Sequence, residues 1–186
     1  MTEYSCYAIN GLMEQAFGNP LTALAEYLNQ NTPTGIHFNV VGGVDPRPPV
    51  QASIFNAVIG DIKAGKTVIV IGHSLGAGAC YYLADTLKAQ GLSSPLFAAI
   101  DPTQWGSNVP PDPQWALQPA HPGRWQAPDN IGIFLNFHQP LYPGGGICIR
   151  GGDDILVPGV GHIEIPNAEL TRGTILNAIG RVIKNG

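Results

Sequence analysis

Two hydrophobic rhythms alternate along the chain. Short β-branched or aromatic runs read as buried strands, and longer stretches carry apolar residues at helical spacing. The strand-like runs are residues 4–9 (Tyr-Ser-Cys-Tyr-Ala-Ile), 36–41, 68–71, 96–100 and 131–137. Between the first two, the spacing predicts a helix to about Asn29, with Leu21, Leu24, Ala25 and Leu28 on one face. Asn19 is its expected cap, with Pro20 at the first helical position. Pro48-Pro49 opens a second helix, with Ile54, Ala57, Val58 and Ile62 inward and Gly65 as its stop. Ala77 to Ala89 reads as a third, ended by Gly91, and a fourth, capped by Asn167, runs to about Ile183. Such alternation predicts an α/β fold: right-handed crossovers and a parallel sheet with helices on both faces. Residues 102–130 break the rhythm, ahead of the fifth strand. The linker Gln139 to Gly145 is too short for a helical crossover. Strand 146–150 is therefore predicted to turn back antiparallel, continued by Ile155 to Val157 beyond Gly151-Gly152.

Composition narrows the possibilities. With 186 residues, 44% of them hydrophobic, and no repeat or linker, residues 1–186 read as a single domain able to bury a substantial core. The net charge of −4 and the lack of any Lys/Arg cluster argue against a nucleic-acid partner. No apolar run approaches membrane-spanning length, so no transmembrane segment is expected. The first residues lack a basic stretch followed by an apolar core, so no signal peptide is seen and a cytoplasmic setting is expected. Cys6, Cys80 and Cys148 are an odd number without metal-ligand spacing, and Cys6 and Cys80 fall in predicted core elements as reduced thiols. Residues 102–130 hold seven prolines and Trp105, Trp115 and Trp125. A long irregular loop in a compact domain is usually functional, and this one is expected to form a wall or lid of the site.

Candidate chemistry centres on Gly72-His73-Ser74-Leu75-Gly76. A strand, this turn and a helix form the context of a nucleophile elbow, which holds Ser74 at a sharp apex. The two glycines leave room for strand and helix to approach each other. The N–H of Leu75, at the helix start, faces a developing oxyanion. A serine needs a base, and the base an orienting acid. His162 fits the base, in a glycine-flanked loop before the last helix. His138, ending the fifth strand, is its rival; His37, His73 and His121 fit less well. Sites on parallel sheets form at the carboxyl ends of strands, where Asp101 stands. Asp153 and Asp154 remain alternatives, while Asp45, Asp85 and Asp129 are badly placed. The second oxyanion donor is expected after the first strand, in Asn10-Gly11-Leu12-Met13, with the N–H of Leu12 first choice and Met13 second. A metal site built from His121, His138, His162 and Asp153 or Asp154 is a distant reading, since no pair has helical ligand spacing. No metal or cofactor is needed.

At these residues the chain resembles the α/β-hydrolase family, especially its small lipase, cutinase and thioesterase-like members. Gly72-His73-Ser74-Leu75-Gly76-Ala77-Gly78 is similar to the elbow of lipases, and Ser74, Asp101 and His162 follow in the family's order. Many relatives carry the acid one strand later, where this chain has Asn136, His138 and Gln139. The resemblance implies a minimal form of the fold, lacking the first two strands and any helical cap domain. The expected order is 2-1-3-4-5 for the parallel strands, with the C-terminal antiparallel extension beyond. It further implies a serine hydrolase of carboxylic esters with a small-molecule acyl ester as substrate, and an open site. Met13, Trp105 and His138 are the expected substrate-binding residues. A thioesterase or acyltransferase with the same triad, or a non-catalytic binding module on this fold, are the alternatives. Oligomeric state is left open.

Overall fold

The structure, a computed structural model, describes residues 2–11, 18–41, 48–102, 126–140 and 151–186. Strands β1 (Tyr4–Ile9), β2 (Phe38–Val41), β3 (Thr67–His73), β4 (Ser94–Ile100), β5 (Ile131–His138) and β6 (Asp153–Leu156) form one sheet in the order β2-β1-β3-β4-β5-β6. Every neighbouring pair is parallel. Helices α1 (Pro20–Asn31) and α4 (Glu169–Asn185) cover one face, and α2 (Pro48–Lys63) and α3 (Leu75–Ala89) the other.

The period of two along the strands explains this layering. In β3, Ile69 and Ile71 pack under α1 and α4, while Val68 and Val70 pack under α2 and α3. All four are at most 1% exposed, so the run is apolar without a break. Each such side chain contributes about 1.5–3 kcal/mol by leaving water. Cys6 and Cys80 sit in these two cores as free thiols, and burial pushes both up to about 12. Cys148 lies outside the described residues.

The antiparallel extension is not seen. The strand after β5 is Asp153–Leu156, and it runs parallel, pairing Leu135 with Asp153 and His138 with Leu156. The connection therefore covers residues 139–152, not 139–145, and is long enough for the crossover that parallel strands need. Residues 146–150 lie outside the described residues. Two helix caps also differ. Asn19 precedes α1 in the left-handed region (φ 53°), and its side chain makes no cap hydrogen bond. Asn tolerates that conformation better than most residues. Asn167 closes a 3-10 turn (Ile165–Asn167) ahead of α4, whose preceding residue is Ala168. Its amide donates to Pro20 O and accepts from Arg172 Nη2, so it ties α4 to α1.

Two glycines set how closely strand and helix meet at the β3–α3 turn. A Cβ on Gly76 would lie 2.0 Å from Ile9 O, and one on Gly72 would lie 2.3 Å from Gly76 O. Both obstacles are backbone atoms and cannot rotate away. Gly76→Ala is therefore expected to lower stability by about 3 kcal/mol or more, or to prevent folding, because the β1–α3 contact must open. Gly180→Ala in α4, where a Cβ meets nothing within 4 Å, is the control. It should leave stability unchanged or raise it by up to about 1 kcal/mol. Urea unfolding of the two variants measures the contrast.

Candidate active site

The carboxyl ends of β3, β4 and β5 carry the site, and hydrogen bonds continue the sheet one residue past β3 and β4. Ser74 N donates to Ile100 O at 3.0 Å, and Asp101 N donates to Phe137 O at 2.7 Å. Ser74 and Asp101 are thereby brought to the same rim on neighbouring strands. Both have left-handed backbones without being glycine, with φ 57° at Ser74 and 46° at Asp101. Such conformations cost about 1–3 kcal/mol each and persist only where the surroundings enforce them. Ser74 lies between the last residue of β3 and Leu75, the first of α3. The Leu75 N–H is one of the opening amides of a helix that have no acceptor within it.

Asp101 is fully buried and His162 faces it. His162 Nδ1 lies 2.6 Å from Asp101 Oδ2. An ionised carboxylate only accepts, so Nδ1–H is the donor and Nε2 is left as the basic nitrogen. Two residues that the sequence did not single out for this role hold the pair. Gln139, 0% exposed, donates from Nε2 to the same Oδ2 at 2.9 Å. His73, 1% exposed, donates from Nε2 to the backbone oxygen of His162 at 2.8 Å, and the two rings lie 4.7 Å apart between centroids. His73 shares the sheet face of Ile69 and Ile71, away from the helix that follows it, as the alternation along β3 requires. Neither role has a local sequence signature.

The rival base and rival acid pair with each other. His138 Nε2 lies 3.4 Å from Asp154 Oδ2. Asp154 Oδ1 accepts from Asn136 Nδ2 at 2.7 Å, and Asn136 Oδ1 accepts from Tyr81 O–H at 3.0 Å. This chain runs on the α3 face of the sheet. Burial, reinforced by Cys80 and Asp154, pushes the Tyr81 phenol up and keeps it a donor. The residues of the distant metal reading are thus split, His162 to Asp101 and His138 to Asp154. Among the described residues no group of three or more His, Cys, Asp or Glu is arranged to hold a metal ion. Asp153 and Asp85 are exposed, and Asp129 pairs with Lys88 at the opposite end of β5.

Gly11, just after β1, lies against Ser74. A Cβ on Gly11 would sit 2.7 Å from Ser74 Cβ and 3.2 Å from its Oγ. Leu12 and Met13, the expected second oxyanion donors, lie outside the described residues, as do Trp105, His121 and most of the 102–130 loop. No described helix is long and apolar enough to cross a membrane.

No protein-family model matches the chain, and no curated protein matches it significantly. Solved structures do. An esterase from Pyrobaculum calidifontis superposes with a TM-score of 0.60 at 14% identity, over 95% of this chain and 75% of its own. A protein of unknown function from Agrobacterium tumefaciens, provisionally described as an α/β hydrolase, gives 0.59 at 16%, over 100% of this chain and 88% of its own. YbtT, a type II thioesterase from the yersiniabactin biosynthetic pathway, gives 0.53 at 9%, over 95% and 93%. With its parallel sheet order and its helices on both faces, the chain has the α/β-hydrolase fold.

Proposed function

We propose that the chain is a serine hydrolase of carboxylic esters in which Ser74 is the nucleophile, His162 the general base and Asp101 the acid that orients it. The observation that carries this reading is the buried 2.6 Å bond from His162 Nδ1 to Asp101, at the rim where strained Ser74 stands. His162 Nε2 takes the Ser74 proton as Oγ attacks the acyl carbonyl. The Leu75 N–H and a second amide, from Leu12 or Met13, hold the oxyanion. Asp101 stabilises the imidazolium, which then protonates the departing alcohol. Water, activated by the same imidazole, releases the acid and frees Ser74. Met13, Trp105 and His138 are the proposed contacts to the acyl or alcohol part.

The names of the esterase and thioesterase structures support hydrolysis of an acyl ester or thioester. YbtT also favours a second reading, thioester hydrolysis by the same residues. A panel of nitrophenyl esters of increasing acyl length, run beside acyl thioesters of the same chains, decides between them. Ester kcat/KM above thioester kcat/KM is expected, and the reverse ranking would move the assignment to a thioesterase. Failure of the wild-type protein to react with a fluorophosphonate at Ser74 would sink both.

A further inference from the structure

We infer that Gln139 is a positioning residue for the acid: its carboxamide N–H holds Asp101 Oδ2 in line with His162. The inference rests on the triad reading above and extends it to the residue just past the next strand.

Three observations support it. Gln139 Nε2 and His162 Nδ1 converge on one oxygen, at 2.9 and 2.6 Å. Both Gln139 and Asp101 are completely buried, so bulk water does not reach them to supply the missing donor. The backbone that carries Gln139 is clamped from both sides, by Asp101 N to Phe137 O at 2.7 Å and by Val157 N to His138 O at 2.8 Å. The carboxamide therefore approaches Asp101 from a fixed frame. That frame matters because Asp101 sits on a left-handed backbone, uncommon for any residue but glycine. A carboxylate oxygen with two donors at fixed angles cannot swing without losing one of them. The imidazole then has a single rest position, with Nε2 directed at the rim. An amide suits the task better than a carboxylate, since it donates at every pH and adds no like charge beside Asp101.

The test uses two variants that keep the length of the side chain. Gln139→Met removes the donor. Its kcat, counted per Ser74 that reacts with fluorophosphonate, should fall roughly 10- to 100-fold, the effect of a lost hydrogen bond to a charged group, with KM nearly unchanged. Gln139→Glu replaces the amide by a group that donates only when protonated. Two carboxylates at this separation cannot both ionise readily and share a proton. The activity of Gln139→Glu relative to wild type should therefore be highest at acid pH and fall as pH rises. A purely structural glutamine would lower the yield of reactive sites in both variants while leaving kcat per site and the pH ratio flat, and that result would overturn the inference. Should Gln139→Met fail to fold, the pH ratio of Gln139→Glu decides alone. Asp101→Asn is run alongside. If it is inactive while Gln139→Met is normal, the positioning role alone is wrong; if it is fully active, the triad reading falls with it.

Discussion

Ser74→Ala is expected to lower ester turnover by about 10⁶-fold and to abolish labelling by fluorophosphonates, with an unchanged circular dichroism spectrum and unfolding midpoint. The change removes one oxygen and leaves the backbone of the turn in place. The backbone bonds from Ser74 N to Ile100 O and from Gly78 N to Ser74 O remain, and Cβ still faces Gly11. What disappears is the only atom in the proposed mechanism able to form the acyl intermediate. The remaining activity should reflect the oxyanion amides and substrate binding, and should show no burst of nitrophenol. Substantial turnover by Ser74→Ala would end the covalent mechanism whatever the other residues do.

The second large effect is expected from Asp101→Asn, about 10⁴-fold in kcat. Here the loss comes from charge and tautomer together. Asp101 Oδ2 accepts from both His162 Nδ1 and Gln139 Nε2. An asparagine that keeps its oxygen there satisfies both donors but leaves the imidazolium without a counter-charge. Turned over, it presents a donor to each, and the imidazole must move its proton to Nε2, where it no longer accepts from Ser74. The protein should still label slowly at Ser74, because nucleophile and oxyanion amides are intact. Steady-state hydrolysis and labelling rate, measured on one preparation, separate this outcome from unfolding. Normal turnover would move the acid elsewhere, with Asp154 next in line.

Much of this arrangement is legible in the sequence. The β3–α3 unit announces itself because its strand is apolar on both faces and its turn glycines have no substitute. Asp101 and His162 both follow strands in the sequence, and they meet in a hydrogen bond. The end of the sheet was not legible. Residues 146–150 carry Ile-Cys-Ile and look like a strand, whereas β6 begins with Asp153-Asp154 and buries little. An edge strand paired on one side is held by its ladder to β5, and a backbone ladder leaves no mark in hydrophobicity. The pairing of His138 with Asp154 was hidden for the same reason, since it follows from the β5–β6 register. Gln139 and His73 act across the fold through single polar atoms, which no spacing rule encodes. Asn19 and Asn167 had the right residue type for caps but serve as a left-handed joint and a tie between helices.

The left-handed backbone at Ser74 bears on how this protein could evolve or be engineered. Glycine accepts such an angle without penalty, so Gly at position 74 should make the chain more stable by about 1 kcal/mol, whereas Gly at 101 would leave the buried donors of His162 and Gln139 without their acceptor and lower stability. A selection for heat resistance that never assays turnover would therefore drift toward Ser74→Gly, a substitution that destroys the proposed chemistry. Any thermostabilisation campaign on this scaffold needs activity as a paired criterion from its first round.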